Sequence, residues 1–145
     1  MNPRLALAVR IALVAGFVTD AGVGVLCVFA QPLLGPLLGV PVKDPAITAF
    51  LGGELIVASV VYVLVFRDLG RWGALLWLCA LDQTLGIAIP AVQIALGHVP
   101  ATLQTLGPMP LQVVLVALYV MGARASATSA PDPGVARRQR PEEPS

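Results

Sequence analysis

The chain has 145 residues, 57% of them hydrophobic and 12% charged, with a mean hydropathy of +0.86. Soluble domains are about 45–50% apolar and about 25% charged, which excludes an ordinary water-soluble domain. At about 20 apolar residues per span there is material for four spans and none for a separate catalytic domain, and a net charge of +1 without a basic face excludes nucleic acid as a partner.

The first apolar run, residues 5–30, exceeds the core of a signal peptide, about 7–15 residues, and lacks a small-x-small cleavage site. It is therefore expected to be a retained helix. It ends at Gln31-Pro32, because a stretch with Pro32, Pro36, Pro41 and Pro45 cannot continue as one helix. Leu33, Leu34, Leu37, Leu38 and Val40 keep that stretch greasy, so it is expected on the membrane surface. A second helix is expected over 46–66, a third over 71–96 and a fourth over 101–122. The joints are Arg67-Asp68-Leu69-Gly70 and Gly97-His98-Val99-Pro100.

Proline disturbs the later spans. Pro90 frees the carbonyl of Gly86 and is expected to kink the third helix. Pro108 and Pro110 interrupt the fourth. From Pro110 to Arg124 a helix rises only about 21 Å at about 1.5 Å per residue, short of a hydrocarbon core of about 30 Å. That span must start earlier and bend, or begin with a broken segment lining a protein-filled or wet cavity. No internal repeat is convincing.

The basic residues orient the spans. Arg4, Arg10, Arg67, Arg71, Arg124, Arg137, Arg138 and Arg140 fall on one side and only Lys43 on the other, a strong positive-inside bias that places both termini in the cytoplasm. Residues 125–145, rich in Pro, Ser, Arg and Glu, lack the apolar content to fold and are expected to be disordered. The expected architecture is all-α: an integral membrane four-helix bundle over 1–124, with kinked third and fourth helices, and a cytoplasmic tail over 125–145.

Four polar residues interrupt the spans. Counted from Arg10, Arg67, Arg71 and Arg124, the side chains of Asp20, Glu54, Asp82 and Gln112 lie roughly 15, 20, 17 and 18 Å deep at about 1.5 Å per residue. An acid at a helix centre costs about 2.5–3.5 kcal/mol, so the three carboxyls are expected to face inward or be protonated. Mutual repulsion in a low dielectric leaves at least one expected to hold its proton. Gly16, Asp20 and Gly24 share one face of the first helix, in a small-x-x-x pattern that admits a close neighbour. Glu54, Ala58 and Tyr62 share a face of the second, and Cys79, Asp82, Gly86, Ile89 and Gln93 one of the third. The fourth offers Gln112 and Tyr119.

These residues define the expected site, with Asp20, Glu54 and Asp82 as candidate acid–base groups and Asp20, Glu54, Tyr62, Asp82, Gln93, Gln112 and Tyr119 as candidate ligand contacts. Membrane-embedded acids also serve as plain interhelical hydrogen-bonding groups, worth about 0.6 kcal/mol per contact. Three at one depth on three helices favour a proton or ligand site. Cys27 and Cys79 lie in apolar runs at different depths and are expected to be packing residues; Trp72 and Trp77 read as interfacial anchors and His98 as a solvated loop residue. No cofactor and no metal site is indicated.

The stretch Asp44-Pro45 through Gly53-Glu54-Leu55, then Tyr62, Arg71-Trp72 and a polar-interrupted third span ending at Ile89-Pro90, resembles the emopamil-binding and sigma-2 receptor (EXPERA) superfamily over about residues 14–95. The resemblance implies a sterol- or amine-accepting cavity, with acids from the first two spans; the sterol-isomerase members carry an intramembrane histidine that this chain lacks. The compact length and the Phe66-Arg67-Asp68 joint are also similar to the DoxX-like and BphX-like membrane proteins, which implies a bacterial inner membrane. Three functions follow as expectations. The leading one is binding of an amphiphilic small molecule (an isoprenoid, sterol-like lipid or amine), with acid–base isomerase or cyclase chemistry open to the carboxyls. The alternatives are a proton-coupled transporter and an accessory subunit of a membrane complex, with a homodimer or a membrane-complex partner in view.

Overall fold

The computed structural model describes residues 1–39 and 42–128. Their regular structure is helical, and four helical stretches are long and apolar enough to cross a membrane: Pro3–Phe29, Pro45–Arg67, Leu69–Ala95 and Leu103–Thr128. Leu7, Ile11, Phe50, Val57, Leu81 and Val113 are each more than half exposed. Spread over all four stretches, such an apolar exterior suits lipid rather than water.

Local chemistry sets the helix limits. The first helix, α1 (Pro3–Phe29), begins with proline at its first position and the Asn2 carboxamide accepting from the Arg4 amide at 2.9 Å. A 3-10 turn (Gln31–Leu33) and the short α2 (Leu34–Leu38) follow, and Gly39 closes α2 with φ of 68°, a conformation that favours glycine. Asp44 caps α3 (Pro45–Arg67) by accepting from the amides of Ala46 and Ile47 at 2.9 and 3.1 Å, and Asp68 caps α4 (Leu69–Trp72) through the Arg71 amide. These two acids are accounted for by backbone donors.

Two expectations shift here. The third stretch is broken at its start, where a 3-10 turn (Gly73–Leu75) separates α4 from α5 (Leu76–Ala95), while α5 continues through Pro90. The fourth is split into α6 (Leu103–Leu106), held by reciprocal Thr102 and Thr105 capping, and α7 (Met109–Thr128). The two segments part at Gly107-Pro108, where Pro108 has no amide hydrogen to join them. Helix α7 also runs past the expected helix end at Gly122, and past the expected bundle limit at Arg124, to Thr128; the rest of the expected tail, 129–145, lies outside the described residues, as does Val40 of the greasy stretch.

The spans pair in two hairpins. In the first, α1 and α3 cross at Gly24 and Gly52, where a Cβ on Gly52 would stand 2.5 Å from Cys27 Cβ and 2.7 Å from the Gly24 carbonyl oxygen. Gln31 staples the far end of this hairpin by donating to the carbonyls of Cys27 and Pro45, both at 2.8 Å. In the second, α5 and α7 pack with Gly86 against Gln112 and Gly73 against Ser126. Without water to drive apolar contact, such close backbone approach is what associates helices in lipid.

The hairpins meet in the half nearest Arg10, Arg71 and Arg124. There Val9, Leu13, Val65, Leu76, Leu115 and Tyr119 form one core. No residue of α5 beyond Gln83 and none of α7 before Leu115 is buried. The hairpins therefore diverge in the other half and leave a crevice. They touch again at the rim, where Gln104 Nε2 donates to the Pro36 carbonyl at 3.2 Å.

Gly52→Ala is expected to lower the thermal midpoint in detergent, since overpacking costs about 1–3 kcal/mol and the clash is with backbone and Cβ atoms. Gly22, where an added methyl group would meet nothing within 4 Å, provides the control. A Gly52→Ala midpoint no lower than that of Gly22→Ala would refute the close crossing.

Candidate functional site at the floor of the crevice

Helical spacing carries Asp20 to the inner face of α1, one turn beyond Gly16. Gly16 matters because two tyrosines occupy the space a side chain would take: a Cβ there would lie 2.5 Å from both Tyr119 Oη and Tyr62 Cε1. The rings stand 6.0 Å apart, tilted by 56°. Each tyrosine belongs to one hairpin and bonds to the other. Tyr119 of α7 donates to the Ala12 carbonyl at 2.6 Å, and Tyr62 of α3 donates to Asp82 Oδ2 at 2.6 Å.

Gln83 is the centre of the cluster. Its Nε2 donates to Tyr62 Oη at 2.9 Å, to Asp82 Oδ2 at 3.2 Å and to Asp20 Oδ1 at 3.4 Å. Both carboxyls accept from this one amide, which brings Asp20 and Asp82 to the same point. Gln83 is 1% exposed and Asp20 8%. No basic side chain is close along these helices, since Arg10 and Arg71 are ten and eleven residues away in sequence.

The cluster is short of donors. Tyr62 and Gln83 bring three polar hydrogens and a protonated carboxyl a fourth, while two carboxyls, a phenol oxygen and an amide oxygen offer more lone pairs than that. The buried side-chain atoms without a partner among the described residues are Asp20 Oδ2, Gln83 Oε1 and Gln112 Oε1. All three are oxygens. The Gln83 amide is assigned with its nitrogen toward the cluster because turning it over would set its oxygen against the two carboxyl groups.

The expected site residues divide. Asp20, Tyr62 and Asp82 converge. Gln112 stands nearby on Gly86, one turn from Asp82. Glu54 does not join them: it is exposed on α3, two turns beyond Tyr62, and makes no hydrogen bond or ion pair among the described residues. The acid paired with Asp20 thus comes from the third span and not the second. Gln93 lies at the end of α5, where its side chain bonds to His98 Nδ1 at 3.0 Å and its carbonyl accepts from the amides of His98 and Val99. Tyr119 sits below the cluster, fully buried, as an interhelical tie. Cys27 and Cys79 are buried free thiols.

Gln83 is the residue of the candidate site that spacing alone passed over. The buried stripe of α5 is Leu76, Cys79, Ala80 and Gln83, turned from the Cys79, Asp82, Gly86 line that the sequence favours. The usable signal is the polar run Asp82-Gln83-Thr84 in the middle of an apolar span. Thr84 satisfies itself by donating to the Ala80 carbonyl at 2.7 Å, which leaves Asp82 and Gln83 for the bundle. Among the described residues no group of histidine, cysteine and acidic side chains is placed to hold a metal ion.

Comparison with protein-family models, curated proteins and solved structures finds no match to this chain.

Two variants test the donor shortage in the ligand-free protein. Asp20→Asn puts an amide donor beside Asp82 and is expected to raise stability by about 1 kcal/mol, the scale of an unsatisfied buried acceptor. Gln83→Leu removes the shared donor and is expected to lower it by at least as much. The check is the thermal midpoint in one detergent at one pH; a fall for Asp20→Asn would mean that the orphan oxygen is already satisfied.

Proposed function

We propose that this chain is a multi-pass membrane protein, with both termini cytoplasmic and bends at Pro90 and Gly107-Pro108, that binds an amphiphilic amine between its hairpins. One observation carries the reading: the buried polar atoms left without partners are acceptors, gathered around Asp20 and Gln83. A protonated amine brings donor hydrogens and a positive charge and offers no lone pair. A carboxylate or phosphate head would add acceptors to a site that already has too many.

The surroundings suit the rest of such a molecule. Along α1, Val23 and Cys27 continue outward from Asp20 into an apolar cleft of about 240 Å³, bounded by Leu34, Leu38 and Leu51. The head then lies at Asp20, Asp82 and Gln83 and the hydrocarbon tail under α2. Acid–base chemistry on such a ligand falls to Asp20 and Asp82, because Glu54 is too remote to serve as the second group.

Binding is favoured over transport by the packing below the site. Val9, Leu13, Leu76 and Tyr119 close the arginine-bearing end, each 1% exposed or less. Transport requires that end to open in turn, and the tyrosine tie between the hairpins opposes it.

The test is the affinity of the protein in phosphatidylcholine nanodiscs for dodecylammonium, dodecanol and dodecanoate. Dodecylammonium is expected to bind best, and Asp20→Asn to weaken it at least about tenfold, or about 1.4 kcal/mol. Equal binding of dodecanoate, or no effect of Asp20→Asn, would overturn the reading. Because that variant is expected to be well folded, lost binding does not reflect lost structure.

A further inference from the structure

A groove of about 120 Å³ lies between α1 and α3, in the half of the bundle that carries Arg10. Its floor is Leu13 and Tyr62, 1% and 2% exposed, and its walls are Val14, Phe17, Val63 and Phe66, each more than a third exposed. The phenol of Tyr62 is the polar group among these side chains, and its hydroxyl is turned away to Asp82. Helix spacing accounts for the groove. At Gly24 and Gly52 the two backbones touch, whereas two turns nearer Arg10 the Tyr62 ring takes the place of a side chain on Gly16 and props α3 off α1.

Arginine marks the mouth. Leu13, Val14 and Phe17 follow Arg10 by three, four and seven residues, so all four share a face of α1. The Arg10 guanidinium carbon stands 5.9 Å from the centre of the Phe66 ring, within cation–π range, which holds the charge against a wall of the groove. On α3, Arg67 comes one turn after Val63. Both arginines are exposed and make no ion pair among the described residues. Asp68, the described acid at this end, accepts instead from the Arg71 amide. Arg10 is ten residues from Asp20 in mid-span, about 15 Å along the axis, or half of a hydrocarbon core about 30 Å thick. Its charge therefore stands at the level of lipid phosphates.

We infer that this groove seats an anionic phospholipid, with one acyl chain against Leu13, Val14, Phe17, Val63 and Phe66 and the phosphate paired with Arg10 and Arg67. The site is separate from the acidic cluster and does not rest on the amine reading. A zwitterionic lipid suits the apolar walls equally well, but its head brings a cation beside two arginines that already lack a counter-charge. A second copy of this chain in the same orientation would set the same arginines of the two copies against each other.

The experiment measures the affinity of the first bound dioleoylphosphatidylglycerol and the first bound dioleoylphosphatidylcholine, by native mass spectrometry from a nonionic detergent. The proteins compared are wild type, Arg10→Gln, Arg10→Lys, Arg124→Gln and Val14→Trp. Wild type is expected to favour phosphatidylglycerol about fivefold, the worth of one arginine at a membrane surface. In Arg10→Gln the ratio falls towards one, and in Arg10→Lys most of it remains because the charge does. Arg124→Gln, at the same end but on the other hairpin, leaves it unchanged. Val14→Trp fills the groove and weakens both lipids at least about fourfold, the worth of one buried methylene.

A wild-type ratio of one, or a preference that survives Arg10→Gln, would overturn the lipid site. So would a Val14→Trp protein that binds phosphatidylglycerol as wild type does. A dimer that dissociates in Val14→Trp, read in the same spectra, would assign the groove to a second copy and overturn it as well. Arg10 and Val14 are exposed, so unchanged thermal midpoints separate lost binding from lost structure. If Val14→Trp fails to fold, the two Arg10 variants still decide.

Discussion

Two tyrosines packed on Gly16 hold the hairpins in register, and the rest of the molecule depends on that contact. Tyr62 reaches from the first hairpin to Asp82 on the second, and Tyr119 reaches back from the second to the Ala12 carbonyl on the first. Both need the space that Gly16 leaves empty. An interhelical hydrogen bond in a membrane is worth about 0.6 kcal/mol on average, so the two together contribute about 1 kcal/mol. The larger share of the association comes from the packing that Gly16 and Gly122 permit, where a methyl group on either would collide with Tyr119 or Val9 of the other hairpin.

The same contact creates the polar site and limits it. By fixing Tyr62 against Asp82, it brings α5 to α1 at one level and sets Gln83 between the two acids. One amide cannot satisfy so many oxygens, since it has only two hydrogens. Leaving a buried acceptor unpaired costs about 1–3 kcal/mol, which exceeds the gain from both tyrosine bonds. A structural network would be better served by one fewer acid. That imbalance separates this cluster from the ordinary hydrogen-bonded glue of membrane bundles and gives an incoming donor something to stabilise.

Much of the architecture was legible because hydropathy and proline placement report directly on spans and breaks. Asp20, Tyr62 and Asp82 could be singled out because a charge or phenol in mid-span has few other reasons to be there. Depth, however, is only one coordinate. Glu54 lies in mid-span yet is exposed, since counting residues from the arginines says nothing about which face of a helix meets its neighbours. Gln83 shows the complementary failure. Residues 82 and 83 point about 100° apart on a helix, and the sequence carries no statement of which direction the partner helix occupies. Gln93 fits the periodicity alone, whereas the end of a helix needs donors for its last carbonyls, and the Gly97 turn, with φ of 73°, brings the His98 amide back to the Gln93 carbonyl.

The uneven packing along the bundle follows from where the small residues lie. Near the arginines, Gly16 and Gly122 admit Tyr119 and Val9 from across the hairpins, and the core closes. Farther out, Gly24, Gly52 and Gly86 serve contacts within each hairpin, between α1 and α3 or between α5 and α7. Close approach is thus spent between hairpins at one end and inside them at the other. The spans stay paired while the pairs separate, and the separation begins just beyond Asp20, Asp82 and Gln83. A donor-poor cluster at the last closed layer and an open crevice above it are two results of one distribution of glycines, which is why the acids can be buried and still be reached from one side.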